Sequence, residues 1–159
     1  YSMEKTNVMR ILELHGISYT PHSYPHGKEA VDGVQVAQML GQNPEYVYKT
    51  LVARGKSGGF FVFDIPVAEE LDLKKAAKAV GEKAVELIPV KDLLPLTGYV
   101  RGGCSPIGMK KQFPTVFHEI AEILPTIMVS AGKIGLQIEC DPDELIALVG
   151  ASTADLIKA

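Results

Sequence analysis

The chain has 159 residues, 47% hydrophobic and 22% charged, with a formal net charge of -3, enough for one domain with a substantial core. No apolar run approaches the ~20 residues that span a bilayer, and the acidic balance excludes a protein that coats nucleic acid non-specifically. The two cysteines, Cys104 and Cys140, make no disulfide framework, and no basic segment followed by an apolar block opens the chain, so a reduced, cytoplasmic setting is expected. Tyr1 and Ser2 precede Met3 and read as an appended remnant, leaving a single domain over residues 3–159.

Glu4 to His15 is a predicted helix with Val8, Ile11 and Leu12 on one face, stopped by Gly16. Ile17 to Tyr24 alternates weakly and contains Pro21, which marks an edge strand or extended segment. A polar loop from Pro25 to Val34 precedes a short helix to Leu40. Asn43-Pro44-Glu45 is a helix-start signal. Tyr48 to Ala53 and Phe60 to Ile65 form a predicted hairpin around Lys56-Ser57-Gly58-Gly59, the second strand apolar enough to be central. Asp72 caps a helix from Leu73 to Val80, whose Leu73, Ala76, Ala77 and Val80 make an inward stripe. Ala84 to Ile88 reads as a strand and Val90 to Leu94 as a helical turn.

Gly98 to Arg101 is strand-like and leads into a glycine loop. Thr115 to His118, Thr126 to Ser130 and Leu136 to Glu139 are further strands, the last two separated by the turn Ala131 to Gly135. Asp141-Pro142-Asp143-Glu144 starts the last helix. Without a regular strand–helix alternation, the expected class is α/β: a strongly curled, mostly antiparallel mixed sheet, barrel-like and flanked by helices.

Two features point to chemistry. Gly102-Gly103-Cys104-Ser105-Pro106-Ile107-Gly108 holds three glycines in seven residues. Such a loop lets backbone N–H groups close on one oxygen, as in an anion nest or oxyanion hole; the structural alternative is a tight turn. Lys49 alternates with Leu51 and Ala53, so it lies on a buried face, where a lysine needs a partner or a task; the alternative is a lysine that snorkels from the strand's mouth. Cys104 has no histidine at a spacing that marks a partner, and reads as a small buried side chain. His22 and His26 lack further ligands at metal spacing, so neither metal nor cofactor is expected. Lys74, Lys75, Lys78, Lys110 and Lys111 could furnish a basic face for one end of an RNA.

Val47-Tyr48-Lys49-Thr50-Leu51, Pro66, Leu71 to Lys75, Thr97-Gly98-Tyr99, the loop from Gly102 to Lys111, and Ser130-Ala131-Gly132-Lys133 occur in one order. As an ordered set they resemble the YbaK/ProX-type aminoacyl-tRNA editing domains, most of all the free-standing Cys-tRNA deacylases, from about His22 to Glu139. The resemblance implies a trans-editing deacylase that removes the amino acid from mischarged tRNA, chiefly Cys-tRNA(Pro) and also Cys-tRNA(Cys). It implies contact with the 3' acceptor end, a transient complex with prolyl-tRNA synthetase, and no membrane or DNA partner. By position, Lys49 matches the essential lysine, Gly102 and Pro106 the Gly-x-x-x-Pro loop, and Tyr24 and Ser130 pocket positions. Gly103 joins Gly102 as a backbone donor. Gln137 stands where the family usually has an aspartate, Cys104 where an aliphatic residue is usual, and Ala30 to Gly33 is one residue short and lacks a phenylalanine. The implied attack comes from the substrate's own thiol, giving a cyclic thioester, or from water or a ribose hydroxyl. The alternative class is a non-catalytic binder of the tRNA end or of a nucleotide.

Overall fold

The computed structural model describes residues 4–159. Helix α1 (Asn7–Leu14) starts where the Thr6 hydroxyl accepts the Met9 N–H at 3.3 Å, and it buries Val8, Met9 and Leu12. Strand β1 (Tyr19–Ser23) follows, then α2 (Gly33–Leu40). Asn43-Pro44 starts only a single 3-10 turn, Pro44–Tyr46, before β2 (Tyr48–Gly55) and β3 (Phe60–Pro66) form the expected hairpin. The remaining elements are α3 (Leu73–Ala79), β4 (Val85–Leu87), α4 (Val90–Thr97), β5 (Thr115–His118), β6 (Ile127–Ser130), β7 (Leu136–Cys140), α5 (Pro142–Val149) and β8 (Ser152–Ala154). A 3-10 turn, Glu119–Ile123, links β5 to β6.

The strands form two open sheets, in the orders β1-β7-β6 and β4-β2-β3-β5-β8. This corrects the expectation of one strongly curled, barrel-like sheet. The outer edges are β4 and β8 in one sheet and β1 and β6 in the other, and neither pair closes. Hydrophobic alternation names strands but not their partners, so the division into two sheets was not visible in it. The pairing is otherwise mostly antiparallel, with β3–β5 and β5–β8 parallel. β3 is central, and Val62, Phe63 and Ile65 are wholly buried. β1, with Pro21, is an edge strand, where a missing N–H is tolerated.

Three smaller expectations change. Gly98–Arg101 is irregular rather than strand, because α4 runs past Leu94 to Thr97, through Pro95, and ends at left-handed Gly98. Leu73 is exposed; Ala76 and Ala77 alone of that stripe are fully packed, against Ala53, Phe63 and Ile65. β8 went unread because its three residues, Ser152-Thr153-Ala154, carry no apolar pattern. It is held by its parallel partner β5 and by Leu156, which is wholly buried.

That C-terminal segment is strapped down by polar bonds. Asp72 N–H donates to the Leu156 carbonyl at 2.8 Å, and Lys75 Nζ reaches the Ile157 carbonyl at 2.7 Å and Asp155 at 2.9 Å. Leu156 N–H donates to His118 Nδ1 at 3.3 Å, which requires that nitrogen to be unprotonated. Burial holds His118 below the ordinary histidine pKa, with Asp155, Glu119 and Glu69 pulling the other way. The unfolded chain therefore takes up this proton near ~6.5 while the folded chain resists it to lower pH. The stabilisation is complete above that pH and is lost as pH falls toward the depressed folded value. The thermal midpoint is expected to drop between pH 7.5 and 5.5, and His118→Asn, which keeps an acceptor and does not titrate, is expected to flatten the drop. An equal drop in both proteins, followed by circular dichroism, contradicts the assignment.

Candidate active site

The two sheets share a core in which Tyr48 and Phe117 pack with Ile127, Val129 and Ile138, and their backbones pair through a parallel bridge, Val47 to Met128. On the same edge of β2, β4 pairs only with Ala53, Arg54 and Gly55. The edge at Lys49–Leu51 therefore has no strand beside it, and a cavity of about 850 Å³ opens there. Its other walls are the loop before α2, the loop after α4, and Ser130, Ile134 and Gln137 at the β6–β7 turn.

The glycine loop is built as a wedge. Lys110 N–H donates to the Thr97 carbonyl at 3.0 Å and closes its base, and the Tyr99 hydroxyl donates to the Ile107 carbonyl beneath it. Gly102 has φ +84°, and a Cβ there would lie 2.7 Å from the Ala30 Cβ. A Cβ on Gly103 would lie 3.1 Å from the Ile134 backbone nitrogen. The pair thus fits between two neighbouring loops because both lack side chains. The Gly103 N–H is already donated to the Val100 carbonyl at 3.0 Å, so it is not a free donor. On the cavity wall, the Gly102 and Cys104 amides donate to no backbone acceptor among the described residues, and neither do several amides of the loop before α2.

Of the residues named from sequence, Tyr24, Lys49, Gly102, Ser130 and Gln137 all line this one cavity, together with Cys104. Gly103 and Pro106 are buried behind the wall and do not reach it. Lys49 is half-buried; burial holds its ammonium below the ordinary lysine pKa, and only the more distant charges of Asp32, Glu70 and Glu69 raise it again. The Ser130 hydroxyl accepts the Gly132 N–H at 3.1 Å, which shapes the β6–β7 turn. Gln137 is buried, and its Oε1 accepts from Gln42 Nε2 at 2.9 Å. Burial pushes the Cys104 thiol up to about 12, which leaves almost no thiolate at neutral pH. His22 pairs with Glu139 at 2.7 Å, outside the cavity wall.

The sequence reading missed Thr50 and Asp64. Asp64 lies opposite Thr50 in the β2–β3 register, is wholly buried, and its Oδ1 is hydrogen-bonded to Thr50 Oγ1 at 2.5 Å, the proton coming from Thr50 when Asp64 is ionised. Its Oδ2 has no partner among the described residues, and neither has the buried Tyr48 hydroxyl. Burial pushes Asp64 up to about 8, against the Thr50 bond. The signal was present as a carboxylate between Phe63 and Ile65, masked by the apolar run around it. A second, smaller groove of about 520 Å³ is lined by β4, α4 and the neighbouring Arg54 and Phe60, with Leu87 and Leu96 among its residues.

Residues 28–148 match the family model of the aminoacyl-tRNA editing domain. The chain belongs to that family. It is 45% identical over 155 residues to the Enterococcus faecalis protein named "Putative Cys-tRNA(Pro)/Cys-tRNA(Cys) deacylase EbsC", covering 98% of this chain and 94% of the relative. A crystal structure described as a "putative trans-editing enzyme for prolyl tRNA synthetase" superposes with a TM-score of 0.81 at 26% identity, over 98% of this chain and all of the other. The hypothetical protein APE2540, at 22% identity and a TM-score of 0.84 over 95% of this chain and 99% of its own, shares the fold. Lys49, Thr50, Asp64, Gly102, Ser130 and Gln137 all fall inside the matched editing domain; Tyr24 precedes it.

The wedge makes a stability test possible. A left-handed backbone costs a non-glycine residue about 1–2 kcal/mol. At Gly41, φ +65° with nothing within 4 Å, alanine is expected to cost that amount alone. At Gly102 the methyl must also displace Ala30, so Gly102→Ala is expected to lose more in urea unfolding. Equal losses at the two sites contradict the wedge.

Proposed function

We propose that this editing-domain protein is a trans-acting aminoacyl-tRNA deacylase that clears mischarged tRNA, with Cys-tRNA(Pro) as its main substrate and Cys-tRNA(Cys) as a second. The observation that carries the reading is Lys49: a half-buried lysine without a close acidic partner among the described residues, on the stretch of the β2 edge that β4 leaves uncovered, lining the same cavity as Gly102. An ester on a tRNA ribose is already reactive, so the protein needs to hold it and to stabilise charge on its carbonyl oxygen. In this reading Lys49 meets the terminal phosphate or ribose, or polarises the ester, and the Gly102 and Cys104 amides face the carbonyl. Gly103 is not given a donor role, since its N–H is used within the loop.

The attacking group comes from the substrate or from solvent. Cys104 is unsuited to it, with its thiol at about 12; among the described residues no histidine lines the wall, and its carboxylates, Glu29 and Asp32, bond no protein hydroxyl that they could activate. For a cysteinyl ester the substrate thiol can close on its own carbonyl, releasing the tRNA and leaving a cyclic thioester. The names borne by the E. faecalis relative and by the trans-editing structure support cysteine as the amino acid and prolyl-tRNA synthetase as a transient partner. The fold and the absence of any described helix long and apolar enough to cross a membrane are consistent with a cytoplasmic site of action.

Single-turnover deacylation of tRNA(Pro) charged with cysteine, alanine or proline, and of Cys-tRNA(Cys), tests this. The expected result is rapid loss of cysteine, with Lys49→Ala slowing it about 100-fold, the size of effect seen when one oxyanion contact is removed. Cys104→Ala is expected to stay within about threefold of the parent rate, since the thiol takes no part. Tight binding of charged tRNA without turnover would instead establish a non-catalytic tRNA-end binder.

A further inference from the structure

We infer that Asp64 is a positioning residue, which holds Thr50 so that its hydroxyl proton points into the cavity as a donor to the ester carbonyl oxygen. The inference rests on the deacylase reading for the identity of the acceptor, and on the geometry of the pair for the rest. Thr50 lines the cavity between Lys49 and Leu51, and Asp64 lies directly across the β2–β3 ladder from it, wholly enclosed.

A threonine hydroxyl has one proton and can accept two more. If Asp64 is ionised, Thr50 must give that proton to Oδ1, and only lone pairs face the cavity. If Asp64 carries a proton, its own O–H can donate to Thr50, and the Thr50 proton is free for the substrate. The surroundings decide between these. The titratable groups facing Asp64 are Tyr48, from β2, and Cys104, from the glycine loop, and both are themselves pushed up by burial and by the Asp64 charge. Lys49 is next to Thr50 in sequence but lies on the opposite face of β2. No cation contributes to the Asp64 environment, and Oδ2 has no partner. An unpaired buried carboxylate is costly, so the neutral acid is the stable form at neutral pH. Burial pushing this group up to about 8 agrees with that assignment.

The consequence is an extra hydrogen-bond donor on the β2 wall of the cavity, in a site where the Gly103 amide is already used. Thr50 transfers no proton to the substrate. As the attacking sulfur or oxygen bonds to the carbonyl carbon, the Thr50 bond tightens on the carbonyl oxygen; the ester C–O bond then breaks, and the attacking group's proton leaves with the ribose oxygen. A donor of this kind weakens as Asp64 ionises, so the enzyme loses rate above about pH 8, apart from any limb due to Lys49.

Single-turnover rates from pH 6 to 9.5, corrected for spontaneous hydrolysis, test the inference in three variants. Asp64→Val and Thr50→Val are each expected to be about 100-fold slow at pH 7. Asp64→Asn, whose amide donates to Thr50 at every pH, is expected to rescue most of the rate lost in Asp64→Val and to erase the alkaline limb. A limb that persists in Asp64→Asn, or a Thr50→Val protein with the parent rate, overturns the role. Should Asp64→Val fail to fold, the other two variants decide. A parent protein that clears no charged tRNA refutes the deacylase reading instead. In that event carbon-13 titration of the Asp64 carboxyl decides the pair: a midpoint near 8 that rises further in Thr50→Val upholds it, and an ordinary aspartate midpoint rejects it.

Discussion

The molecule depends on an incomplete junction. Its two sheets are joined at Val47 and Met128 and nowhere continue into one another. β4 is too short to cover the rest of the β2 edge, pairing at three positions only. What remains is a length of strand, Lys49 to Leu51, with its flank open to a cavity. A closed barrel would have filled that space with side chains. Here a strand from one sheet, a turn from the other and two loops converge on it, so the site comes directly from how the sheets fail to meet.

Rigid packing keeps those loops in place. Gly102 and Gly103 occupy a slot between Ala30 and the Lys133–Ile134 backbone, too narrow for side chains. The loop base is closed by the Thr97–Lys110 bond, and Tyr99 ties its centre through Ile107. Preorganisation of this sort is what a site needs when its task is to hold a reactive ester in a fixed geometry. It also explains why one of the two glycine amides is a structural bond and the other is left for the cavity. The electrostatics follow the same division: Lys49 is half-buried with no close acidic partner among the described residues, while burial pushes Asp64 behind the wall up to about 8.

Much of this was legible in the sequence, for identifiable reasons. Lys49 stood out because a charged side chain alternates there with Leu51 and Ala53, and strand periodicity is local information. Asp72 and Asp141 marked helix starts because capping is a matter of a few adjacent residues. The same logic could have found Asp64 between Phe63 and Ile65, but a single carboxylate in a central apolar strand looks like an interruption until its cross-strand partner, Thr50, is known. The state of the Gly103 amide, the pairing of β5 with β8, and the split into two sheets all depend on contacts between distant segments, which alternation does not encode. The ordered motif set carried the family, since spacing held from Val47 to Lys133 constrains what single motifs do not.

The central claim is that the gap between the sheets receives the aminoacylated end of a tRNA. The most direct measurement is a nitrogen-15 and methyl NMR titration with a 3'-cysteinyl-adenosine amide, which mimics the charged end and cannot be cleaved. The account predicts shifts concentrated at Lys49, Thr50, Gly102, Cys104, Ser130 and Gln137. Shifts confined to the groove around Phe60, Leu87 and Leu96, or none at saturating ligand, would contradict it.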